Sequence, residues 1–186
     1  MLIKKIEIVL FVAIGLGITG QAIMTPILMV LMLMTNDFLS MSLMTDRASP
    51  ALSPSRWRMR RITSAALVLG ALKLSFSTTV LAFSSFRLRL FGPELQTLAF
   101  VTLVFGNQAL LCALRDRRHL WSSKPSIWVV VSSAADIAIT SALALSGTLM
   151  APLPWRLLLA VLCVSAGFAL LIDKIKLTVM AAFDIA

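Results

Sequence analysis

The chain is divided into long apolar blocks by short polar segments, and the blocks have the length that a lipid bilayer demands. Six can be read, at about residues 6–20, 22–44, 62–86, 95–114, 127–145 and 156–172. A hydrocarbon layer of roughly 30 Å is crossed by about 20 apolar residues in a helix. The apolar residues come in runs and not at helical or alternating intervals, so neither surface helices nor half-buried strands account for them. Hydrophobic residues make up 59% of the 186 and charged residues 13%. A soluble domain of that length would lack the charge to cover its surface. Turn-forming residues fall between the blocks: Gly20-Gln21, Pro50 and Pro54, Gly92-Pro93, and the stretch SGTLMAPLPW. Pro26 is the exception, one turn into the second block. The expected fold is all-α: a polytopic membrane protein, one domain over residues 1–186, built as a bundle of six transmembrane helices.

A net charge of +9 raises the question of nucleic acid, but the basic residues do not form a binding face. They sit in the short segments between blocks. Lys4 and Lys5, Arg47, the group from Arg56 to Arg61, Arg115, Arg117, Arg118, Lys124, Lys174 and Lys176 all fall on one side of an alternating topology. The other side holds only Arg87, Arg89 and Arg156. Positively charged loops stay in the cytoplasm, so both termini are expected there, in the plasma (inner) membrane of a cell. Trp57, Trp121, Trp128 and Trp155 lie at block ends, where interfacial aromatics belong. Cys112 and Cys163 are far apart in apolar blocks and read as small buried hydrophobes, not as a disulfide or metal pair. The N-terminus has no small-residue cleavage site and is not read as a signal peptide.

Ionisable residues inside the blocks are the candidates for function. Asp37 lies nine residues before Asp46, which ends the second block, so it sits roughly 14 Å into the membrane. A charge there costs on the order of 3 kcal/mol on insertion scales. Asp37 is therefore an ion or proton site, a neutral or paired structural carboxylate, or a residue nearer the interface than the block suggests. Thr35, Asn36 and Ser40 place polar groups around it and favour the first reading. Asn36-Asp37 also marks a point where a local break in the helix is tolerable. Lys73 and Asp136 fall near mid-membrane on the third and fifth blocks. They read either as a structural charge pair between those helices or as part of an ion path. Asn107 and Gln108 read as interhelical hydrogen-bonding residues, Glu7 as an interfacial residue opposite Lys4, and His119 as a solvated loop residue. The methionines between Met24 and Met44 read as bilayer-facing packing before soft-metal ligands.

The stretch TNDFLSMSLMTDRASPALSPSRW resembles the sixth membrane helix and following loop of P-type cation ATPases, most closely the proton-pumping plasma-membrane type. The matching elements are Asn36-Asp37, Asp46-Arg47, Pro50, Ser53-Pro54 and Trp57. Val68–Gly70 is similar to the family's seventh helix. FGNQALLCALRDRRHLWSSKPS, with Gln108-Ala109, Trp121-Ser122 and Lys124-Pro125, is similar to the end of its eighth helix and the loop after it. The resemblance covers essentially the whole chain and implies the fifth to tenth membrane helices of such a pump. By that resemblance Asp37 is the membrane proton acceptor and donor, with Asn36 as its hydrogen-bonding neighbour. The proton-pumping type also places an arginine on its fifth helix beside the carboxylate. Here the first block offers only Lys4, Lys5 and Glu7.

The family's phosphorylated motif, Asp-Lys-Thr-Gly-Thr, is absent: Asp173-Lys174 is followed by Ile175-Lys176. Thr-Gly-Glu-Ser and a glycine-rich phosphate loop are absent too. The chain is thus expected to bind no cofactor and to be catalytically incompetent alone. ATP and Mg2+ would be used by an N-terminal catalytic half, with the chain a fragment of a split or truncated gene. The alternative is a free-standing six-helix secondary transporter or membrane assembly partner, though transporters often carry an internal repeat and none is found.

Overall fold

The computed structural model describes residues 2–44, 59–90, 92–114 and 127–182. The expectations for Asp46, Arg47, Pro50, Ser53, Pro54, Trp57, His119, Trp121 and Lys124 lie outside the described residues. So do the side chains of Asn36, Ser40 and Trp128. The regular structure described is helical throughout: α1 (Leu2–Thr19), α2 (Pro26–Met44), α3 (Met59–Phe86), α4 (Pro93–Leu114), α5 (Ile127–Ser146) and α6 (Trp155–Ala182). The six blocks are six helices, and the chain is a multi-pass membrane protein.

Their ends follow from local chemistry. Gly20 closes α1 with a left-handed φ of 67° and donates its N–H to the Leu16 carbonyl at 2.8 Å, a termination that favours glycine because it has no Cβ to clash. Gly147, φ 68°, ends α5 in the same way. The second helix begins later than its apolar block. Thr25 caps it, its hydroxyl accepting the Leu28 N–H at 3.3 Å, and Pro26 is the first helical residue. Pro26 is therefore not an interruption: at that position its missing N–H has no helical partner to lose. α2 also runs unbroken across Asn36-Asp37. The sixth helix outlasts its apolar block, continuing past Asp173-Lys174 to Ala182. Leaving the hydrocarbon layer does not end a helix whose next residues, Ile175, Lys176 and Leu177, propagate it without strain.

Among the described residues, four helices hold a stretch long and apolar enough to cross a membrane: Leu67–Phe86, Pro93–Cys112, Val129–Ser146 and Trp155–Ile175. Among the described residues, α1 and α2 contribute shorter apolar stretches, Ile6–Thr19 and Pro26–Thr35.

The bundle is organised around α4. From Leu95 to Leu110 every residue of that helix except Gln96 is buried. A helix apolar on all sides belongs in the middle of a bundle. It packs most extensively against α6 and also against α3, α2 and α5. α1 rests on α3, and α2 rests on α5 and α4. Although consecutive in the chain, α1 and α2 do not pack against each other among the described residues, and neither do α3 and α5, which lie on different sides of α4. Loop contacts fix the ends of the bundle. Gln96 Nε2 donates to the Ala22 carbonyl at 2.7 Å, the Thr97 hydroxyl to the Ala151 carbonyl at 3.0 Å, and the Leu153 N–H to the Ala144 carbonyl at 2.9 Å.

Candidate functional site: two polar nodes either side of α4

Asn107 and Gln108 are consecutive on the central helix. Successive helical residues point about 100° apart, so the two amides face different neighbours, and each meets one buried charge.

On one side stands Lys73, 2% exposed, from the middle of α3. Its ammonium lies 2.9 Å from Glu7 Oε1 on α1 and donates to Asn107 Oδ1 at 3.5 Å. Glu7 is itself only 5% exposed. Helix register brings the two together. Glu7 is twelve residues from the end of α1 and Lys73 thirteen from the end of α3, so the two helices, running in the same direction, place them about 18 and 20 Å from the same surface. A charge in the bundle interior persists where an opposite charge and a hydrogen bond meet it, and this node supplies both to Lys73.

On the other side stands Asp136, half-buried in the middle of α5. Gln108 Nε2 donates to its Oδ2, and the Thr35 hydroxyl of α2 hydrogen-bonds to the same carboxylate. Gln108 is 4% exposed, and its carbonyl Oε1 has no hydrogen-bond partner.

Three expectations change. Lys73 and Asp136 are not partners: α4 lies between α3 and α5, so the lysine pairs with Glu7 and the aspartate with neutral groups. Glu7 is not interfacial beside Lys4. Its neighbours Ile6, Ile8, Val9 and Leu10 are apolar, and that flanking run is the signal in the sequence that it continues into the bundle. Thr35 likewise belongs with Asp136 and not with Asp37. Asn107 and Gln108 do serve as interhelical hydrogen-bonding residues.

Asp37 is placed apart from both nodes. It is exposed, meaning uncovered by this chain, and it extends the outward stripe formed by Ile27, Val30, Leu33 and Met34 on α2. Those positions recur at helical spacing, so they form one face. α1 has an outward face of its own, with Ile6, Val9, Leu10 and Ile14 exposed. Cys112 and Cys163 form no disulfide and are exposed, in place of the buried positions their sequence context implies. No group of three or more His, Cys, Asp and Glu side chains comes together among the described residues.

Comparison with known proteins agrees with this architecture. A protein of Methanocaldococcus jannaschii named as a cation-transporting ATPase is 29% identical over 186 residues, covering 98% of this chain. The chain spans 23% of that relative's length. Residues 21–178, from the turn after α1 to the last turns of α6, match the family model described as cation transporting ATPase, C-terminus. The chain belongs to that family, the C-terminal membrane region of P-type cation ATPases.

Proposed function

We propose that this chain is the membrane part of an ATP-driven cation pump, that its cargo is the proton, and that Asp37, beside Asn36, carries it. The observation that carries the reading is the place of Asp37. A carboxylate on the outward face of a helix, eleven residues or about 16 Å from the start of α2, is costly against lipid and acceptable against protein or water. The outward faces of α1 and α2 are therefore the side on which further membrane helices of the pump would close, with Asp37 between them. Alternating access at that seam would expose Asp37 to one side of the membrane and then to the other.

In this reading the soluble phosphorylation and nucleotide domains lie outside the chain, and ATP and Mg2+ act there. The relative's much greater length supports that division of labour. The chain resides in the plasma membrane with both termini in the cytoplasm, as its basic segments dictate.

The test separates the pump from a secondary transporter. Vesicles containing the chain together with a catalytic region should acidify their lumen only when ATP is supplied, and an uncoupler should collapse the gradient. Vesicles containing the chain alone should show no ATP hydrolysis, no acid-stable phosphoenzyme and no solute uptake driven by an imposed ion gradient. Gradient-driven uptake by the chain alone would instead establish a secondary transporter.

A further inference from the structure

Among the described residues, Asp136 is a carboxylate without a cation. The one buried ammonium described in the bundle, Lys73, is held by Glu7 on the far side of α4. α5 carries no other ionisable residue. On the helices packed against it, Asp37 of α2 points outward, Glu94 of α4 is in that helix's first turn, and Cys112 and Cys163 are exposed. On α6, Arg156 lies at one end, and Asp173 and Lys174 lie far along the helix toward the other. Among the described residues, Asp136 meets two neutral groups, the Gln108 amide and the Thr35 hydroxyl.

We propose that Asp136, Gln108 and Thr35 form a second proton-binding site, on the side of α2 opposite Asp37. An ionised carboxylate, half open toward hydrocarbon and countered only by neutral dipoles, is an expensive arrangement. One bound proton removes the charge. A metal ion fits poorly, since Ca2+ and Mg2+ take about six or more oxygen ligands. The oxygens described here are one carboxylate, one hydroxyl and one amide carbonyl.

The buried, unpartnered Gln108 Oε1 completes the site. With Asp136 ionised, Gln108 Nε2 donates to it. After the carboxylate takes a proton from water, a half-turn of the amide brings Oε1 round to accept the new O–H. The Thr35 hydroxyl can donate to the ion or accept from the acid. The same two residues therefore satisfy both states, as reversible proton binding requires. Thr35 and Asp37 are two residues apart on α2, about 200° around the helix. One helix thus separates the two carboxylates, Asp136 inside the chain's own bundle and Asp37 on its outward face.

This site goes beyond the reading of Asp37 as cargo carrier and is tested without a transport measurement. Infrared difference spectra of the full chain in lipid nanodiscs should show a protonated-carboxyl carbonyl band at neutral pH that shifts in deuterium oxide. The band should persist in Asp37→Asn and in Glu7→Gln and vanish in Asp136→Asn. Gln108→Leu and Thr35→Val keep the carboxyl and should each move its frequency, which preserves the test if Asp136→Asn does not fold. The assignment is overturned by any of four results: no such band in the wild type, a band that survives Asp136→Asn, a frequency unmoved in both Gln108→Leu and Thr35→Val, or a band removed at constant pH by sodium or potassium chloride but not by choline chloride. The last would make the site one for a metal cation. None of these results touches Asp37, whose role is read in ion flux.

Discussion

Lys73 has a neutral alternative that nearly every membrane helix uses, an aliphatic side chain, and what makes its charge tolerable is Glu7. Removing one member of a buried pair leaves the other uncompensated, at a cost of about 3–5 kcal/mol. Lys73→Met should therefore lower the melting temperature in detergent sharply. Lys73→Met combined with Glu7→Leu should recover most of that loss, because a matched apolar replacement removes both desolvation penalties. Lys73→Met combined with Asp136→Leu should recover little. If the second combination rescues and the first does not, the pairing across the bundle is wrong. That pairing was only half legible in the sequence. The mid-membrane depth of Lys73 and Asp136 follows from counting along each helix, but depth says nothing about which helices are neighbours. With α4 between α3 and α5, two charges at similar depth meet different partners. Asn107-Gln108, an adjacent amide pair on the most buried helix, is the local trace of that division.

At the scale of elements, the six helices were readable because an apolar run of bilayer length rarely forms anything but a membrane helix. Their ends were less so. Thr25 and Pro26 together start α2, a cap followed by a proline in the first turn, and the signal is hidden because the residues before it, Ala22 to Met24, are as apolar as those after. Thr25→Ala should cost about 1 kcal/mol of stability through the lost cap, measured by unfolding in mixed micelles; an unchanged midpoint would show that the hydroxyl does not hold the helix start. A second prediction concerns the approach to that start. A Cβ on Gly15 of α1 would collide with the Ile23 side chain, and it would come within 3.1 Å of Leu81 on α3. Ile23 is 1% exposed, so it has little room to yield. Gly15→Ala should destabilise by about 1–3 kcal/mol, as overpacking does, and Ile23→Val should relieve part of it. Gly17, which has open space around it, should accept alanine with no such loss, and equal effects at the two glycines would contradict the packing.

At the scale of the whole molecule, the bundle has one enclosed helix and an apolar surface around it. α4 is enclosed, whereas the helices around it all turn apolar residues outward, and among the described residues α1 and α2 do not pack against each other. Orientation belongs to this scale as well. Reporter fusions at Ala186 and within residues 48–60 should both read out as cytoplasmic, and an external signal from either would overturn the six-span topology. The role proposed for Asp37 rests on the resemblance carried by Asn36-Asp37 and the motif after it, since a lone carboxylate in a helix leaves several readings open. Its outward position then ties the resemblance to a surface. The most direct measurement is ATP-driven proton flux into vesicles containing the chain with its catalytic region, comparing the wild type with Asp37→Asn at matched protein levels. Asp37→Asn should insert and melt like the wild type, because it removes a costly charge from an outward face, and its flux should fall to background. Wild-type flux from Asp37→Asn would contradict the assignment of Asp37 as the residue that carries the cation.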